Sequence, residues 1–166
     1  MTPAVPQSAL AGGKRLLVDT NLLVLLVVGT VNPNRIQSFK RTSQYNKSDF
    51  HLLTQVIARF DTLYTVAHVM AEVSNLTDLT GRERLEARQV LKKLLEITSE
   101  PAVESLRAAE AKAYHRLGLV DAAISLVAHD QRCTVLTDDL DLYLSLAHEG
   151  INALNFAHLQ AQEWRV

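Results

Sequence analysis

The pattern of hydrophobic and polar positions divides this chain into short apolar runs and longer amphipathic stretches that alternate along its length. Apolar runs without polar alternation are typical of strands that are buried on both faces of a parallel sheet. Apolar residues that recur every three or four positions are typical of helices. The alternation predicts an α/β fold with a central, mostly parallel sheet and right-handed crossovers. The predicted strands cover residues 15–18, 62–66, 97–100, 133–137 and 151–155.

Between these strands, cap-type residues and glycines mark where helices begin and end. Residues 1–13 contain prolines and glycines and predict a flexible leader, so that residues 14–166 form a single domain. Residues 30–47 are polar, with a turn signal at Asn32, and predict a solvated loop or irregular helix. The predicted helices cover residues 22–28, 49–60, 67–79, 82–97, 103–117, 119–130 and 142–148, with a short helix or tail over 157–166.

The first strand ends on a carboxylate, Asp19, and a helix is predicted to begin directly after it. Thr20 and Asn21 are turn and N-cap types, so the chain can bend there before the helix starts. Asp19 would then lie at the carboxyl end of a central strand, where open α/β sheets place their ligand sites. A helix cap is the alternative role for Asp19, because an acid at a strand end often serves only that purpose.

Further acidic side chains are predicted at the same edge of the sheet. The strand that ends at Thr137 delivers acids there, a helix that starts near Asp121 adds another, and Glu72 lies early in its own helix. Converging carboxylates repel one another, so the cluster needs a cation. Oxygen ligands favour Mg²⁺ or Mn²⁺, which would lower the pKa of a bound water and stabilise charge on a phosphate. The alternative for Glu72 is an exposed helix residue, and for Asp121 a helix cap.

Three acids, Asp138, Asp139 and Asp141, follow the strand that ends at Thr137. Side chains alternate along a strand, so Thr137 and Asp139 should share one side, where Thr137 can brace the Asp139 carboxylate. Asp138 would point the other way and cap the next helix. Asp141 has the same parity as Asp139 but falls in the predicted helix, and ranks second as a supporting residue. Asp139 is therefore the predicted fourth acid.

Composition and charge narrow the classes of protein to which the chain can belong. A length of 166 residues suits one domain with a hydrophobic core. The net charge of −1 argues against a nucleic-acid clamp driven by bulk charge and leaves a local basic patch open. Cys133 is the only cysteine, which fits a reducing compartment. The apolar stretch after Arg15 is interrupted by polar residues and is far shorter than a membrane span, so a cytoplasmic location is predicted.

Four short motifs occur in order along the chain: VDTN at 18–21, AEV at 71–73, GLVDAA at 118–123 and VLTDD at 135–139. Together they resemble the PIN-domain family, which includes the ribonuclease toxins of VapBC-type toxin–antitoxin modules, over about residues 14–155. The resemblance implies a three-layer α/β/α fold with a five-stranded sheet, an acidic pocket for Mg²⁺ or Mn²⁺, and hydrolysis of RNA. It implies catalytic and metal-holding roles for Asp19, Glu72, Asp121 and Asp139, and supporting roles for Thr20, Asn21 and Thr137.

Other functional classes remain open from the sequence. A phosphatase normally needs Asp-x-Asp after the first strand, and here Asn21 occupies the second position. A phospho-receiver domain would need a lysine soon after Thr137, and none is present there. A non-catalytic PIN-like domain that binds RNA or acts as a scaffold is the main alternative, and a DNA nuclease has the same sequence signals. The six histidines are scattered without zinc spacing.

The sequence also allows predictions about RNA contacts and protein partners. Basic side chains on residues 30–47 and on the helix over 82–97 form either a solvated face or a rim that contacts RNA phosphates. A homodimer is expected from the high apolar content and from the resemblance, which also makes an antitoxin protein a candidate partner. The candidate RNA-contacting residues are Arg35, Lys40, Arg41, Arg82, Arg84 and Arg88.

Overall fold

The structure is a computed structural model that describes residues 15–163. The predicted leader over 1–13 lies outside the described residues. All neighbouring strands are parallel, in the order β3-β2-β1-β4-β5, so the predicted α/β class and five-stranded sheet are confirmed. The strands are β1 (Arg15–Val18), β2 (Thr62–Tyr64), β3 (Thr98–Ser99), β4 (Thr134–Thr137) and β5 (Ala153–Asn155).

Helices flank the sheet and connect its strands, and a short 3₁₀ turn, Pro33–Arg35, follows the first of them. Within residues 15–163 the α-helices are α1 (Thr20–Val31), α2 (Lys47–Ile57), α3 (Ala67–Leu76), α4 (Gly81–Ile97), α5 (Ser105–Ala109), α6 (Tyr114–Leu117), α7 (Leu119–Gln131), α8 (Leu140–His148) and α9 (Phe156–Glu163).

Helix α1 lies at the centre of the core. It packs against α2, α3 and α4, and every residue from Leu22 to Gly29 is buried. A helix that is buried on all sides carries no polar stripe, which explains the unbroken apolar sequence. A Cβ at Gly29 would lie 2.3 Å from the Phe50 ring, so glycine at this position lets α2 approach α1 closely.

The strand order places a switch point between β1 and β4. The chain leaves β1 to form β2 and β3 on one side, then returns to form β4 and β5 on the other. Leu17 of β1 accordingly pairs with Tyr64 in β2 and with Val135 in β4. Such a reversal leaves a crevice outside the carboxyl ends of the two central strands. Asp19 and Asp138 are the first residues after those strands.

Several predicted helix starts are early or late because the capping residue differs from the expected one. Asp19 is the N-cap of α1 and accepts a hydrogen bond from the Thr20 backbone N–H at 2.7 Å, so the prediction that Thr20 and Asn21 precede the helix is wrong. Helix α2 begins two residues earlier than predicted because Asn46 and Asp49 form a reciprocal capping box.

Some predicted elements end too late. The predicted helix over 67–79 stops at Leu76, and the C-cap Thr77 donates to the Val73 carbonyl through both its backbone N–H at 3.0 Å and its hydroxyl at 2.9 Å. The predicted strand over 62–66 stops at Tyr64, because Val66 is already the N-cap of α3. The strand predicted over 151–155 is also shorter and begins at Ala153.

The single helix predicted over 103–117 is wrong, since the segment forms two short helices, α5 and α6. Ala108 and Ala113 are both buried, and α5 and α6 both pack against α7. In one straight helix, residues five apart would point about 140° from each other, so they could not both face α7. The break between the two helices allows both alanines to be buried.

The segment predicted as a solvated loop or irregular helix over 30–47 is anchored to the core in part. Ile36, Thr42 and Tyr45 are buried, and the Thr42 hydroxyl donates to the Ile36 carbonyl at 2.7 Å. Helix α1 also extends into this segment as far as Val31. Most side chains of the segment are polar and exposed, so the hydrophobic pattern gave no indication of these three buried residues.

Candidate active site

Asp19 is held at the end of β1 by hydrogen bonds to both carboxylate oxygens. Oδ1 accepts from the Thr20 backbone N–H at 2.7 Å, and Oδ2 accepts from the Thr137 hydroxyl at 2.6 Å. Only 6% of Asp19 is exposed. The two roles that the sequence left as alternatives therefore coexist, because Asp19 caps α1 and also reaches the crevice between β1 and β4.

The residues at the end of β4 have three different partners. Thr137 accepts a hydrogen bond from the Asp139 backbone N–H at 3.0 Å while it donates to Asp19. Asp139 caps α8, and its Oδ1 accepts from the Leu142 backbone N–H at 3.1 Å. Asp138 accepts the Tyr45 hydroxyl through Oδ2.

Two predictions about this turn are corrected. The Thr137 hydroxyl donates its proton to the carboxylate of Asp19 and not to that of Asp139, and it accepts only the backbone N–H of Asp139. Asp139, and not Asp138, caps the following helix, since α8 begins at Leu140 and the cap is the residue before it.

Two helices bring the other two acids to the crevice. Gly118, with φ of 89°, turns the chain from α6 into α7, so that Asp121 lies in the first turn of α7. Glu72 lies in the second turn of α3, which begins just after β2. Helices α3 and α7 contact each other, which brings these two carboxylates toward the same opening.

A cavity of about 320 Å³ opens where these elements meet. No lysine, arginine or histidine is among its lining residues. Larger cavities exist elsewhere, such as one of about 390 Å³ beside Cys133, but that one contains no carboxylate. The acidic cavity is lined by Asp19, Thr20, Asn21, Glu72, Leu117, Leu119, Val120, Asp121 and Asp139.

The donor set of this cavity fits a hard divalent cation. All four charged side chains offer carboxylate oxygens, the ligands that Mg²⁺ and Mn²⁺ prefer. Within residues 15–163, no group of three or more acidic, histidine or cysteine side chains is arranged closely enough to hold a metal ion by itself.

The carboxylates perturb one another's ionisation. Burial raises the pKa of Asp19 to about 6, against the lowering effect of the hydrogen bonds from Thr137 and Thr20. Burial and, to a smaller extent, the charges of Asp19, Asp139 and Glu72 together raise the pKa of Asp121 to about 7. The charges of neighbouring acids therefore disfavour the charged forms of Asp19 and Asp121, in addition to the effect of burial.

A family model supplies the independent comparison: the model for the PIN domain matches residues 16–145. The chain belongs to the PIN-domain family. No curated protein matches this sequence. PIN domains share a nuclease-type fold, are generally nucleases and generally use divalent metal ions. The matched residues include all four acids of the cavity.

Of the four residues expected to support the acids of this PIN domain, two line the cavity and two do not. Thr20 and Asn21 line the cavity, and the buried Thr20 Oγ1 has no hydrogen-bond partner among the residues that the structure describes. Thr137 acts from behind the cavity through Asp19. Asp141 is exposed on α8 and does not line the cavity; its backbone carbonyl accepts from Arg116 at 3.4 Å.

Sequence reasoning missed two features of this PIN domain site. The first is Tyr45, which comes from the segment between α1 and α2 and reaches Asp138 across 93 residues of sequence. Its only signal was a large aromatic residue in a polar stretch. The second is the apolar wall at the junction of α6 and α7, where helix periodicity gives no sign that side chains face a cavity. That wall consists of Leu117, Leu119 and Val120.

The six predicted RNA-contacting residues of the PIN domain fall into two groups. Arg35 pairs with Glu83 at 3.0 Å and Arg82 with Glu86 at 2.9 Å, so both guanidinium groups have a carboxylate partner. The others are exposed and, in the described part of the chain, make no recorded ion pair. They are Lys40, Arg41, Arg84 and Arg88. Among helices in residues 15–163, none has the length and apolar character required to cross a membrane.

Proposed function

We propose that this PIN domain is a metal-dependent endoribonuclease that hydrolyses RNA phosphodiester bonds. The observation that carries the proposal is the cavity at the switch point between β1 and β4, where Asp19, Glu72, Asp121 and Asp139 converge from four separate elements. A purely structural role for four acids at one opening is disfavoured, because their mutual repulsion costs stability without a cation.

The four carboxylates would hold Mg²⁺ or Mn²⁺. When bound, such an ion supplies Lewis acidity at the phosphate and lowers the pKa of a coordinated water. The residues of the chain prepare this arrangement. Thr137 and the Thr20 backbone orient the Asp19 carboxylate, and the α8 cap fixes Asp139. The exposed Asn21 side chain is available to hydrogen-bond a water or an RNA oxygen.

The RNA backbone would lie along exposed cations outside the acidic cavity. Arg84 and Arg88 are one turn apart on α4, both exposed, and about 6 Å separates such positions. They support the proposal better than Arg35 and Arg82, whose guanidinium groups already pair with glutamates. Lys40 and Arg41 are the other exposed candidates.

The proposal extends to the toxin of a toxin–antitoxin module, with an antitoxin as partner, and to a homodimer in the cytoplasm. Exposed leucines support a protein contact: Leu140 is 55% exposed and Leu144 is 51% exposed, one helical turn apart on α8. Light scattering at tens of micromolar should show a dimer that Leu144→Glu shifts toward monomer. A monomer at that concentration would contradict the dimer.

Cleavage of an end-labelled RNA, with Mn²⁺ or with EDTA, tests the proposed function. Asp19→Asn and Asp121→Asn should lose cleavage, whereas Asp78→Asn, an exposed acid after α3, is the matched control and should keep it. A DNA strand of the same sequence separates a ribonuclease from a DNA nuclease. Tight RNA binding without cleavage would instead favour the non-catalytic alternative, and full activity in EDTA would reject the metal mechanism.

Salt dependence tests the RNA-contacting residues. Each phosphate contact on a single strand contributes about 0.7 to the slope of log affinity against log salt. The double change Arg84→Glu and Arg88→Glu should therefore flatten the slope by roughly 1.4. Lys112→Glu, an exposed charge on the segment between α5 and α6, is the control. An unchanged slope in the double variant would mean that Arg84 and Arg88 do not contact RNA and belong to a solvated face of α4.

A further inference from the structure

Tyr45 lies at the end of the segment between α1 and α2 and is almost completely buried, with 4% of it exposed. Its backbone N–H donates to the Thr42 carbonyl at 2.9 Å, and its ring makes an edge contact with Phe156 at a centroid distance of 6.4 Å. Its hydroxyl donates to Asp138. The buried Ile36 and Thr42 fix the rest of the segment, so Tyr45 is presented from a packed support.

The acceptor, Asp138, is the middle residue of a turn in which all three residues are fixed by different partners. Thr137 donates to Asp19, Asp138 accepts from Tyr45, and Asp139 caps α8. Asp139 lines the acidic cavity, while Asp138 does not. The Oδ1 atom of Asp138 is buried without a partner among the residues that the structure describes, so the Tyr45 hydroxyl is the contact that fixes the orientation of this carboxylate.

We propose that Tyr45 is a positioning residue: its hydroxyl holds Asp138 outside the acidic cavity and thereby fixes the turn that presents Asp139. This inference rests on the proposed ribonuclease function. Burial and the Asp138 carboxylate raise the pKa of Tyr45 above its ordinary value, so the hydroxyl keeps the proton that it donates. The segment between α1 and α2 thereby becomes part of the functional site, although none of its residues lines the cavity.

Loss of the hydroxyl should have two consequences. The turn loses its restraint on the side opposite the cavity, so the position of Asp139 becomes less defined. The Asp138 carboxylate also becomes free to rotate, and its charge is already close enough to act on Asp19. Removal of a direct partner of a metal ligand typically changes metal affinity or activity by about 10–100-fold. Tyr45 bonds to the neighbour of the proposed ligand Asp139, so we expect an effect at the lower end of that range.

The test is Tyr45→Phe, which keeps the ring and its contact with Phe156. Calorimetric titration with Mn²⁺ alone should show about tenfold weaker binding, and kcat should fall about tenfold with an unchanged KM for RNA. Tyr143→Phe is the control, because Tyr143 contacts His158 through its ring on the outer helix α8. Wild-type Mn²⁺ affinity and kcat in Tyr45→Phe would overturn the proposal.

A double-variant cycle shows whether Tyr45 acts through Asp138. In an Asp138→Ala background, the Tyr45→Phe change should have no further effect on Mn²⁺ affinity or kcat, because the acceptor is already gone. The same loss in both backgrounds would mean that Tyr45 acts by another route and would overturn the proposal.

The cycle also separates this inference from the proposed function. If the wild type binds Mn²⁺ without cleaving RNA, the ribonuclease proposal fails and the Mn²⁺ affinities alone decide the role of Tyr45. If the wild type binds no Mn²⁺, both proposals fail. If the wild type cleaves RNA and the Tyr45→Phe variant is fully active, the positioning role is overturned and the ribonuclease proposal remains intact.

Discussion

Replacement of Asp121 by asparagine should stabilise the metal-free protein at neutral and alkaline pH. Asp121 is half-buried in α7 and faces three other acids, and its pKa is raised to about 7. The folded state therefore holds the Asp121 proton more tightly than the unfolded chain does. The stability that the neutral carboxyl provides is fully present below pH 3.8, the ordinary value, and is lost as the pH rises through about 7.

The size of this loss follows from the pKa values. The difference between 3.8 and about 7 corresponds to roughly 4 kcal/mol for a fully buried group. Solvent reaches part of the Asp121 side chain and screens its charge, so we expect about 2 kcal/mol. Asparagine loses the favourable interaction of a negative charge with the start of α7, which is worth about 0.5 kcal/mol. The charge repulsion is the larger effect, so the net change remains stabilising.

Urea unfolding in EDTA at pH 4 and pH 8, followed by circular dichroism, measures the effect. Asp121→Asn should exceed the wild type by ~1.5 kcal/mol at pH 8 and match it near pH 4. Asp130→Asn on the same helix is the control, and it should lower the free energy of unfolding instead of raising it. Arg107 donates a hydrogen bond to Asp130 and lowers its pKa, so the charge of Asp130 is stabilising. An Asp121→Asn variant that is no more stable than wild type at pH 8 would refute the reasoning.

Three further predictions concern the core and the turn after β4. Gly29→Ala should lose about 1 kcal/mol of unfolding free energy, because a clash with Phe50 of about 2 kcal/mol exceeds the gain in helix propensity; thermal melts that match wild type would contradict it. Thr137→Val should lose about 2 kcal/mol in urea melts, since it removes a buried charged hydrogen bond, whereas Thr137→Ser should retain most of the stability. Asp139→Asn should lose RNA cleavage and keep its fold, while Asp138→Asn, whose amide oxygen can still accept the tyrosine hydroxyl, should keep most cleavage; the reverse pattern would reject the assignment.

The sheet could be predicted from sequence because its signals are local. The apolar runs at β1 and β4 are short, and each ends in an acid, so parallel strands with polar ends follow directly from the pattern. Cap-type residues and glycines between the runs indicated where one element ends and the next begins. The convergence of Asp19 and Asp139 at one cavity also followed, because parallel strands present their carboxyl ends at one edge.

Element ends and the break over residues 103–117 could not be predicted, because they depend on tertiary contacts. The hydrophobic pattern gives no sign that Ala108 and Ala113 are both buried. Helix α2 starts early because of a capping box at Asn46, a pairing that became visible only with the helix start known.

Within the site, the partners of each side chain were the hardest to predict. Alternation along the strand predicted that Asp139 and Asp138 point to different sides, and Asp139 alone of the two lines the cavity, but alternation could not say what either would contact. Thr137 bonds to Asp19 across 118 residues, and Tyr45 bonds to Asp138 across 93. Contacts between strands and loops so far apart in sequence are set by the strand order, which no local pattern encodes.

The pairing of β1 with β4 also has a consequence for synthesis of the chain. At about 5–20 residues per second, β4 leaves the ribosome on the order of ten seconds after β1. Throughout that interval one edge of β1 has unpaired backbone groups beside apolar side chains, the kind of edge that recruits foreign strands. We expect chains arrested on the ribosome before Thr134 to bind a chaperone that releases them once Asn155 has emerged. Equal chaperone binding before and after that point would contradict this expectation. The pairing of β1 with β4, which brings Asp19 and Asp139 to one cavity, is thus among the last contacts to form. A chain that ends before β4 therefore has no acidic cavity.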